Sequence, residues 1–290
     1  MMTNEEVKSR AAGIRLLALD ADGTCLTTDK RCTDRTVRAV NRLAEQGCLV
    51  VPASGRGYKG LLENVFPFSE IRYVISSDGA IVTECATGRH LWDEKIPCRT
   101  AARLAKELFL EDTCVYFHRE EEKGTYMRAC RSKETYRKLF SGSWHRVLDD
   151  DIMTDGLDQV ILRDGKDISK MGMLVLRQDG FAYYEQIIAR EFPELNCFRG
   201  DVNALEFTSC RTSKGEALKA LASHLGLDRT QICAIGDNDN DISMLEFAGL
   251  GVAMGNAIES AKEKADFIIG SNDDEGVAEF LETYFLNGRN

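Results

Sequence analysis

The 290-residue chain has little of what identifies several large classes of protein. No run of apolar residues approaches the ~18 that a membrane span requires. The first thirteen residues carry four charged side chains and no apolar segment of a signal peptide. The 37 basic residues form no block and are outnumbered by 47 acidic ones, for a net charge of −10. We therefore expect a cytoplasmic protein whose main partner is neither nucleic acid nor a membrane.

Closely paired cysteines are lacking as well. The ten cysteines include no CxxC motif and no other short paired spacing, so the sequence predicts neither a disulfide framework nor a zinc site. The 43% of hydrophobic and 29% of charged residues are ordinary for a globular protein. Because the chain is about twice as long as a typical domain of ~150 residues, it indicates two domains.

Both ends of the chain alternate short apolar runs with amphipathic helices. Core strands are predicted at 14–19, 48–51, 73–75, 232–235, 250–254 and 267–269. Helices are predicted from the N-cap Thr33 to Gly47, and at 213–225, 242–248 and 276–285. Strands that alternate with helices predict an α/β fold, in which helices cover both faces of a parallel sheet.

The middle of the chain follows a different pattern. Two extended runs, at 115–119 and 125–130, flank a polar stretch and predict a β-hairpin. Further strands are predicted at 159–163, 171–176 and 204–208, and helices at 132–140 and 183–191. Because these elements do not alternate regularly, we expect an α+β domain at 90–205, inserted into an α/β core formed by 1–89 and 206–290.

Polar side chains follow the first two predicted core strands directly. Asp20 and Asp22 come after the first strand, and Ser54, Gly55 and Arg56 after the second. Ligands of open parallel sheets bind beyond the carboxyl ends of the strands, so we expect both groups at one edge. Two carboxylates at this spacing serve one metal, or act as a nucleophile and a proton donor, and a small hydroxyl with a glycine amide binds phosphate. The alternative for each group is an ordinary polar turn.

Two further polar groups belong to the second half of the predicted core. Lys214 lies in the first turn of a helix, where the helix dipole disfavours a cation, so either a nearby anion holds it or it is a surface lysine. The segment 236–241, with the sequence GDNDND, combines three carboxylates with two amides. Such a density of acids calls for a cation, and oxygen ligands favour Mg²⁺. The alternative is an Asp- and Asn-rich helix cap.

The order of these four groups is more specific than any one of them. DxDGT, SGR, a lysine and GDxxND resemble the motifs of the haloacid dehalogenase-like phosphatases, in the Cof-type branch with a large α/β cap between the second and third motifs. The resemblance covers nearly the whole chain and implies a Rossmann-like core with an inserted cap that selects the substrate. One residue departs from it: Asp78 stands where the family usually has asparagine, and we expect its charge near the pocket mouth.

The resemblance implies a role for each motif residue. Asp20 is expected to be the nucleophile, and Asp22 the general acid and then the base. We expect the neighbouring carboxylates to raise the pKa of Asp22, which helps it keep a proton. The Mg²⁺ ligands are expected to be the Asp20 carboxylate, the Asp22 main-chain carbonyl and Asp237. The expected phosphate-binding residues are Ser54, Gly55, Lys214 and Asn240. The expected supporting residues are Asp241 and Arg56.

The implied activity is Mg²⁺-dependent hydrolysis of phosphomonoesters through an aspartyl-phosphate intermediate. The implied substrates are small phosphorylated metabolites, with sugar phosphates first. One alternative is a sugar phosphomutase, which returns the phosphoryl group to a sugar instead of to water. Another is a phosphate-binding module without catalysis, against which the complete set of motif residues argues.

Overall fold

The computed structural model describes residues 1–58, 61, 67–110, 112–118, 127–129, 152–153, 156–175, 180–200 and 203–286. The helix predicted at 132–140 lies outside these residues. The chain divides into two compact units, one formed by Met1–Asp93 with Thr212–Asn290 and the other by Glu94–Arg211. Among the described residues, we find no helix that is both long enough and apolar enough to cross a membrane.

The strands and helices are numbered in chain order. The strands are β1 (Leu16–Leu19), β2 (Leu49–Pro52), β3 (Tyr73–Ser76), β4 (Ile81–Glu84), β5 (Arg89–Asp93), β6 (Thr113–His118), β7 (Met127–Ala129), β8 (Ile152–Met153), β9 (Lys170–Val175), β10 (Leu195–Arg199), β11 (Ala204–Ser209), β12 (Ile232–Gly236), β13 (Leu250–Ala253) and β14 (Phe267–Ile268). The helices are α1 (Asn4–Ala11), α2 (Asp34–Glu45), α3 (Cys98–Glu107), α4 (Leu157–Asp164), α5 (Phe181–Glu191), α6 (Lys214–Leu225), α7 (Ile242–Phe247), α8 (Glu259–Lys264) and α9 (Gly276–Leu281).

A parallel sheet of five strands forms the core of the first unit, in the order β14-β13-β12-β1-β2. The central strand β1 pairs in parallel with β12 and β2, so Leu19 stands beside both Ile235 and Pro52. All four residues of β1 are buried, which is why the strand reads as a continuous apolar run. The predicted α/β class is confirmed, and the register brings the ends of three strands to one edge.

The helix ends of this unit follow from their capping residues. The Thr33 hydroxyl accepts a hydrogen bond from the Thr36 amide (3.2 Å) at the start of α2, and Gly47, with φ of 87°, follows the end of that helix. The Ser213 hydroxyl accepts one from the Glu216 amide (3.1 Å) at the start of α6. Both helix starts therefore lie where the sequence predicts them, and the second one positions Lys214.

The third predicted core strand pairs differently from our expectation. Strand β3 belongs to an antiparallel sheet, β3-β4-β5, and touches the parallel sheet through one bridge between Ala53 and Ile75. The chain reverses at the Ser77–Gly79 turn, where Ser77 and Asp78 adopt left-handed backbone angles (φ 50° and 57°). This tight reversal lets β4 pair back onto β3, which strand and helix alternation does not predict.

The second unit is built on a six-stranded sheet in the order β10-β11-β9-β6-β7-β8. Strands β6 and β7 pair antiparallel, which confirms the predicted hairpin. The strand predicted at 159–163 is wrong, because these residues belong to helix α4. Leu157 and Ile161, one helical turn apart, are buried, whereas the next residue, Leu162, is exposed. The helix ends at Gly165 in the left-handed conformation, a common helix terminator.

Candidate active site

Three carboxylates meet at the carboxyl edge of the parallel sheet. Asp20 follows β1 and Asp237 follows β12, and the pairing of these two strands brings both residues to the same edge. Carboxylate oxygens of Asp20, Asp237 and Asp241 all lie within 4.8 Å of one another. Asp20 (5% exposed) and Asp241 are buried, whereas Asp237 is partly exposed, so two of the three negative charges are largely removed from water.

Lys214 supplies a positive charge inside this cluster. Its side chain is fully buried, and Nζ donates hydrogen bonds to Oδ1 of Asp20 (2.7 Å) and Oδ1 of Asp241 (2.6 Å). Burial alone lowers the pKa of the ammonium group, but the charges of Asp20 and Asp241 raise the pKa above its ordinary value. The interpretation of Lys214 as a surface lysine is therefore wrong, and the anions that hold it against the helix dipole belong to the protein.

Asp241 shapes the loop that carries Asp237. Its Oδ2 accepts hydrogen bonds from the backbone amides of Asp237 (2.9 Å) and Asn238 (3.1 Å), while its Oδ1 accepts the bond from Lys214. Both carboxylate oxygens of Asp241 thus accept hydrogen bonds, and the side chain is fully buried. This geometry suits a residue that supports the site rather than one that contacts a ligand.

The Asp237 carboxylate lies against the loop after β1. Its Oδ1 accepts a hydrogen bond from the Thr24 hydroxyl (2.8 Å), and Asn256 donates one to the Gly23 carbonyl (2.8 Å). Gly23 has a φ of 80°, and a Cβ at this position would collide with the Asp237 carboxylate. Burial and the charge of Asp241 raise the pKa of Asp237 to about 6, against the hydrogen bond from Thr24. Thr24 and Asn256 were not among the predicted site residues.

The Asp22 side chain faces two cations. It accepts hydrogen bonds from Arg56 Nε (2.7 Å) and Nη2 (2.8 Å), and from Lys30 Nζ (2.9 Å). Burial raises the pKa of Asp22, but Arg56 and Lys30 together lower the pKa to about 2. Our expectation that neighbouring carboxylates raise the pKa of Asp22 is therefore wrong. Lys30 was missed because no sequence pattern places a loop lysine on a particular carboxylate.

The segment Ser54-Gly55-Arg56 is held by its backbone at the end of β2. The Ser54 amide donates to the Ile75 carbonyl (3.0 Å), and the Arg56 amide donates to the Ser54 hydroxyl (3.2 Å). Ser54 is buried, and Gly55 between the two is partly exposed. This loop leads from the end of β2 to the salt bridge between Arg56 and Asp22.

Asn240 and Asp78 form a hydrogen-bonded pair. Asn240 Nδ2 donates to Oδ1 of Asp78 at 2.7 Å. Asp78 is only 2% exposed, so its side chain is buried among neighbouring residues. The residue that departs from the family pattern contacts one of the predicted phosphate-binding residues.

The donor set fits a divalent cation that prefers oxygen ligands. Burial and the charge of Asp241 raise the pKa of Asp20 well above its ordinary value, although Lys214 opposes the change. A bound cation would relieve this crowding of negative charge. Because both oxygens of Asp241 already accept hydrogen bonds, Asp20 and Asp237 are the better placed carboxylate ligands.

Comparison with known proteins agrees with this fold. The family model of the haloacid dehalogenase-like hydrolases matches residues 17–281. A provisionally named phosphatase of Streptococcus pyogenes serotype M6 is 32% identical over 282 residues, covering 94% of this chain and 99% of that protein. The 5-amino-6-(5-phospho-D-ribitylamino)uracil phosphatase YitU of Bacillus subtilis is 26% identical over 288 residues, covering 93% and 97%. The crystal structure of a haloacid dehalogenase-like hydrolase from Bacteroides thetaiotaomicron has a TM-score of 0.78 and 26% identity, covering 94% and 100%.

The chain belongs to the haloacid dehalogenase-like hydrolases, which confirms the resemblance drawn from the four motifs. Within this family it is a phosphatase, the class to which the two relatives described above are assigned. Its substrates are phosphorylated compounds.

Proposed function

We propose that the protein is a Mg²⁺-dependent phosphomonoester hydrolase that forms an aspartyl-phosphate on Asp20. The observation that carries the proposal is the buried cluster at the sheet edge, in which Lys214 joins Asp20 and Asp241 while Asp237 lies alongside. Phosphoryl transfer depends mainly on positioning and on neutralising charge, and this cluster supplies both kinds of group.

The metal-binding residues in this proposal are the carboxylates of Asp20 and Asp237 and the main-chain carbonyl of Asp22. When bound, Mg²⁺ would offset the negative charge of the phosphate and of these carboxylates. Asp241 contributes from behind, because it fixes the loop on which Asp237 lies.

The reaction begins with attack of an Asp20 carboxylate oxygen on phosphorus. That oxygen–phosphorus bond forms as the bond to the ester oxygen breaks, and Asp22 donates the proton that the leaving alcohol needs. Lys214 favours the ionised form of Asp20 and, with Ser54 and Asn240, binds the phosphate oxygens. Asp22 then takes a proton from the water that hydrolyses the acyl phosphate.

The salt bridges of Asp22 affect its two roles differently. Arg56 and Lys30 favour its ionised form, which suits a base that activates water. To act first as an acid, Asp22 has to move away from Arg56 and Lys30, take up a proton from solvent, and then donate that proton to the leaving-group oxygen. The first step is therefore expected to be more sensitive than the second to how firmly Arg56 and Lys30 hold Asp22.

Small phosphorylated metabolites are the proposed substrates, with sugar phosphates first. The B. subtilis relative, named for a phosphorylated ribityl compound, supports this class. We assign the choice among these esters to the inserted segment, which forms a compact unit at Glu94–Arg211.

Phosphate release from a panel of phosphorylated metabolites tests the proposal. With Mg²⁺ present, we expect turnover of at least one sugar phosphate, loss of activity in EDTA, and no activity in the Asp20→Asn variant. Ca²⁺ should restore the activity poorly, because its looser coordination misplaces the nucleophile. Full activity without metal, or in Asp20→Asn, would overturn the site assignment. A requirement for a bisphosphate activator, with little phosphate released, would instead indicate a mutase.

A further inference from the structure

The Ser77–Gly79 turn binds the loop after β2 through its backbone. The Asp78 amide donates to the Ser54 carbonyl (3.1 Å), and the Ser77 amide donates to the Arg56 carbonyl (3.0 Å). Both turn residues hold left-handed backbone angles, which are unfavourable for residues other than glycine and, to a lesser degree, asparagine and aspartate. The turn is thus fixed in a strained conformation against one of the loops of the candidate site.

The same turn also contacts the start of helix α6. The Gly79 carbonyl accepts a hydrogen bond from the Thr212 hydroxyl (2.5 Å), and a Cβ on Gly79 would collide with the backbone of Ser213. Since Lys214 is the next residue, the turn lies close to the start of the helix that carries the buried lysine. The charge of Asp78 contributes to the raised pKa of Lys214, after the larger contributions of Asp20 and Asp241.

The Asp78 side chain adds a contact to a third loop. Its Oδ1 accepts the hydrogen bond from Asn240 Nδ2 at 2.7 Å. An ionised carboxylate only accepts hydrogen bonds, so it pairs with the nitrogen end of the Asn240 amide and not with the oxygen end. Asparagine at position 78 could pair with either end. One hydrogen of the Asn240 amino group points at Asp78, which leaves the other for an anion.

We infer that Asp78 is a positioning residue, which orients the Asn240 amide so that its nitrogen donates to the bound phosphate. This inference rests on the proposed function, in which Asn240 contacts phosphate. Asp78 itself does not touch the reacting atoms in this account. Its buried charge is offset by Lys214, and its backbone is held by Ser54.

A double-mutant cycle between the two residues provides the test, with p-nitrophenyl phosphate as substrate and inorganic phosphate as inhibitor. Asp78→Gly removes the carboxylate without forcing a new side chain into the left-handed conformation. Loss of a hydrogen bond to a charged group weakens the binding of the phosphate and of the transition state. Asp78→Gly and Asn240→Ala should therefore each lower kcat/KM by about 10- to 100-fold and weaken inhibition by phosphate. The double variant should be no worse than Asn240→Ala alone, because Asp78 acts through Asn240.

Two single variants separate positioning from a general effect on the turn. Asp78→Asn keeps an acceptor oxygen and tolerates the left-handed angle, so it should recover kcat/KM to within about fivefold of the original protein. Ser77→Gly relieves the backbone strain at the neighbouring left-handed position and leaves the Asp78 carboxylate in place. This variant should therefore retain most of kcat/KM. If Asp78→Gly does not fold, the cycle is built on Asp78→Ser, whose hydroxyl oxygen is one bond closer to the backbone than the carboxylate oxygens and carries no charge.

Additive losses in the double variant would overturn the inference, as would a loss in Asp78→Asn equal to that in Asp78→Gly. Asp20→Asn is measured in the same assay to separate the two proposals. If Asp20→Asn remains active, the proposed function fails. If Asp20→Asn is inactive while the losses at Asp78 and Asn240 are additive, the role of Asp78 alone is wrong.

Discussion

At the scale of single residues, Lys214 shows how neighbouring carboxylates can stabilise a buried positive charge. It lies at the amino-terminal end of α6, where the helix dipole disfavours a cation, and it is fully buried. The carboxylates of Asp20 and Asp241 compensate for both costs. Sequence reasoning could recognise that Lys214 needs an anion, but not that the protein itself supplies two, because these residues are far apart along the chain.

Removing the Lys214 charge should therefore affect stability as well as activity. Without the cation, Asp20 and Asp241 remain buried with no positive charge beside them, so Lys214→Met should lower the free energy of unfolding by about 3–5 kcal/mol and abolish activity. Urea unfolding in EDTA measures the first effect. The control is Lys219→Met, an exposed lysine on the same helix whose nearest carboxylate is 3.6 Å away, with an expected change below about 1 kcal/mol. Equal small changes in both variants would contradict the importance of the buried charge.

Asp22 and Asp20 should behave differently when they are replaced. The leaving group p-nitrophenolate hardly needs a proton, so Asp22→Ala should lose far less of the first step with p-nitrophenyl phosphate than with a sugar phosphate. General acid catalysis is worth roughly 10²–10⁴-fold, which sets the expected difference. Because the second step still needs a base, rapid mixing should show a burst of p-nitrophenolate close to one equivalent per site, then slow turnover. Equal losses on both substrates without a burst would leave Asp22 as a metal-site residue only.

At the scale of elements, the close contact between the loops after β1 and β12 depends on Gly23. The sequence predicts where the two strands end, since short apolar runs precede each acidic motif, but it does not show how closely the loops approach. The pairing of β3 and the helical state of α4 were also not predictable from local pattern. The pairing of β3 depends on a turn with two left-handed residues. The state of α4 depends on which of its consecutive apolar residues are buried in the core, and local pattern does not show this.

Gly23→Ala tests this contact. The substitution adds a Cβ that collides with the Asp237 carboxylate, so it should lower kcat/KM and raise the Mg²⁺ concentration needed for half-maximal activity. Gly47→Ala is a matched control, because Gly47 also has a left-handed φ (87°) but a Cβ there meets nothing within 4 Å. Both variants should lose about 1–2 kcal/mol of stability from backbone strain, and only Gly23→Ala should change the dependence on Mg²⁺. The same dependence in both would contradict the proposed contact.

At the scale of the whole molecule, the order of the motifs predicts the family, because the four groups follow strands or begin helices of one core. The inserted segment carries no motif from which a substrate can be read. The Trp92 indole (3.0 Å) and the Thr212 hydroxyl (2.5 Å) both donate hydrogen bonds to the Gly79 carbonyl, so the two chain segments that lead to the insert are close together in the first unit. A short linker can therefore replace the insert.

Replacing residues 94–211 by a short Gly-Ser linker tests whether the insert selects the substrate while the core binds the metal and phosphate. If the insert selects the substrate, the remaining core should still bind Mg²⁺ and inorganic phosphate, while its rates toward different phosphate esters become more nearly equal. Calorimetry measures the binding, and the metabolite panel measures the rates. A folded core that keeps the substrate ranking of the full chain would show that the insert does not choose the substrate.

The covalent step on Asp20 is the centre of this account, and trapping the intermediate tests it most directly. Asp22→Ala protein is mixed with p-nitrophenyl phosphate and Mg²⁺, quenched in acid during the burst, treated with borohydride and digested with trypsin. We predict that the peptide of residues 16–30, which ends at Lys30, carries a reduced side chain at position 20, because borohydride converts an aspartyl-phosphate to homoserine. Hydrolysis that proceeds with Asp20 unmodified, or with the phosphoryl group on another residue, would contradict the account.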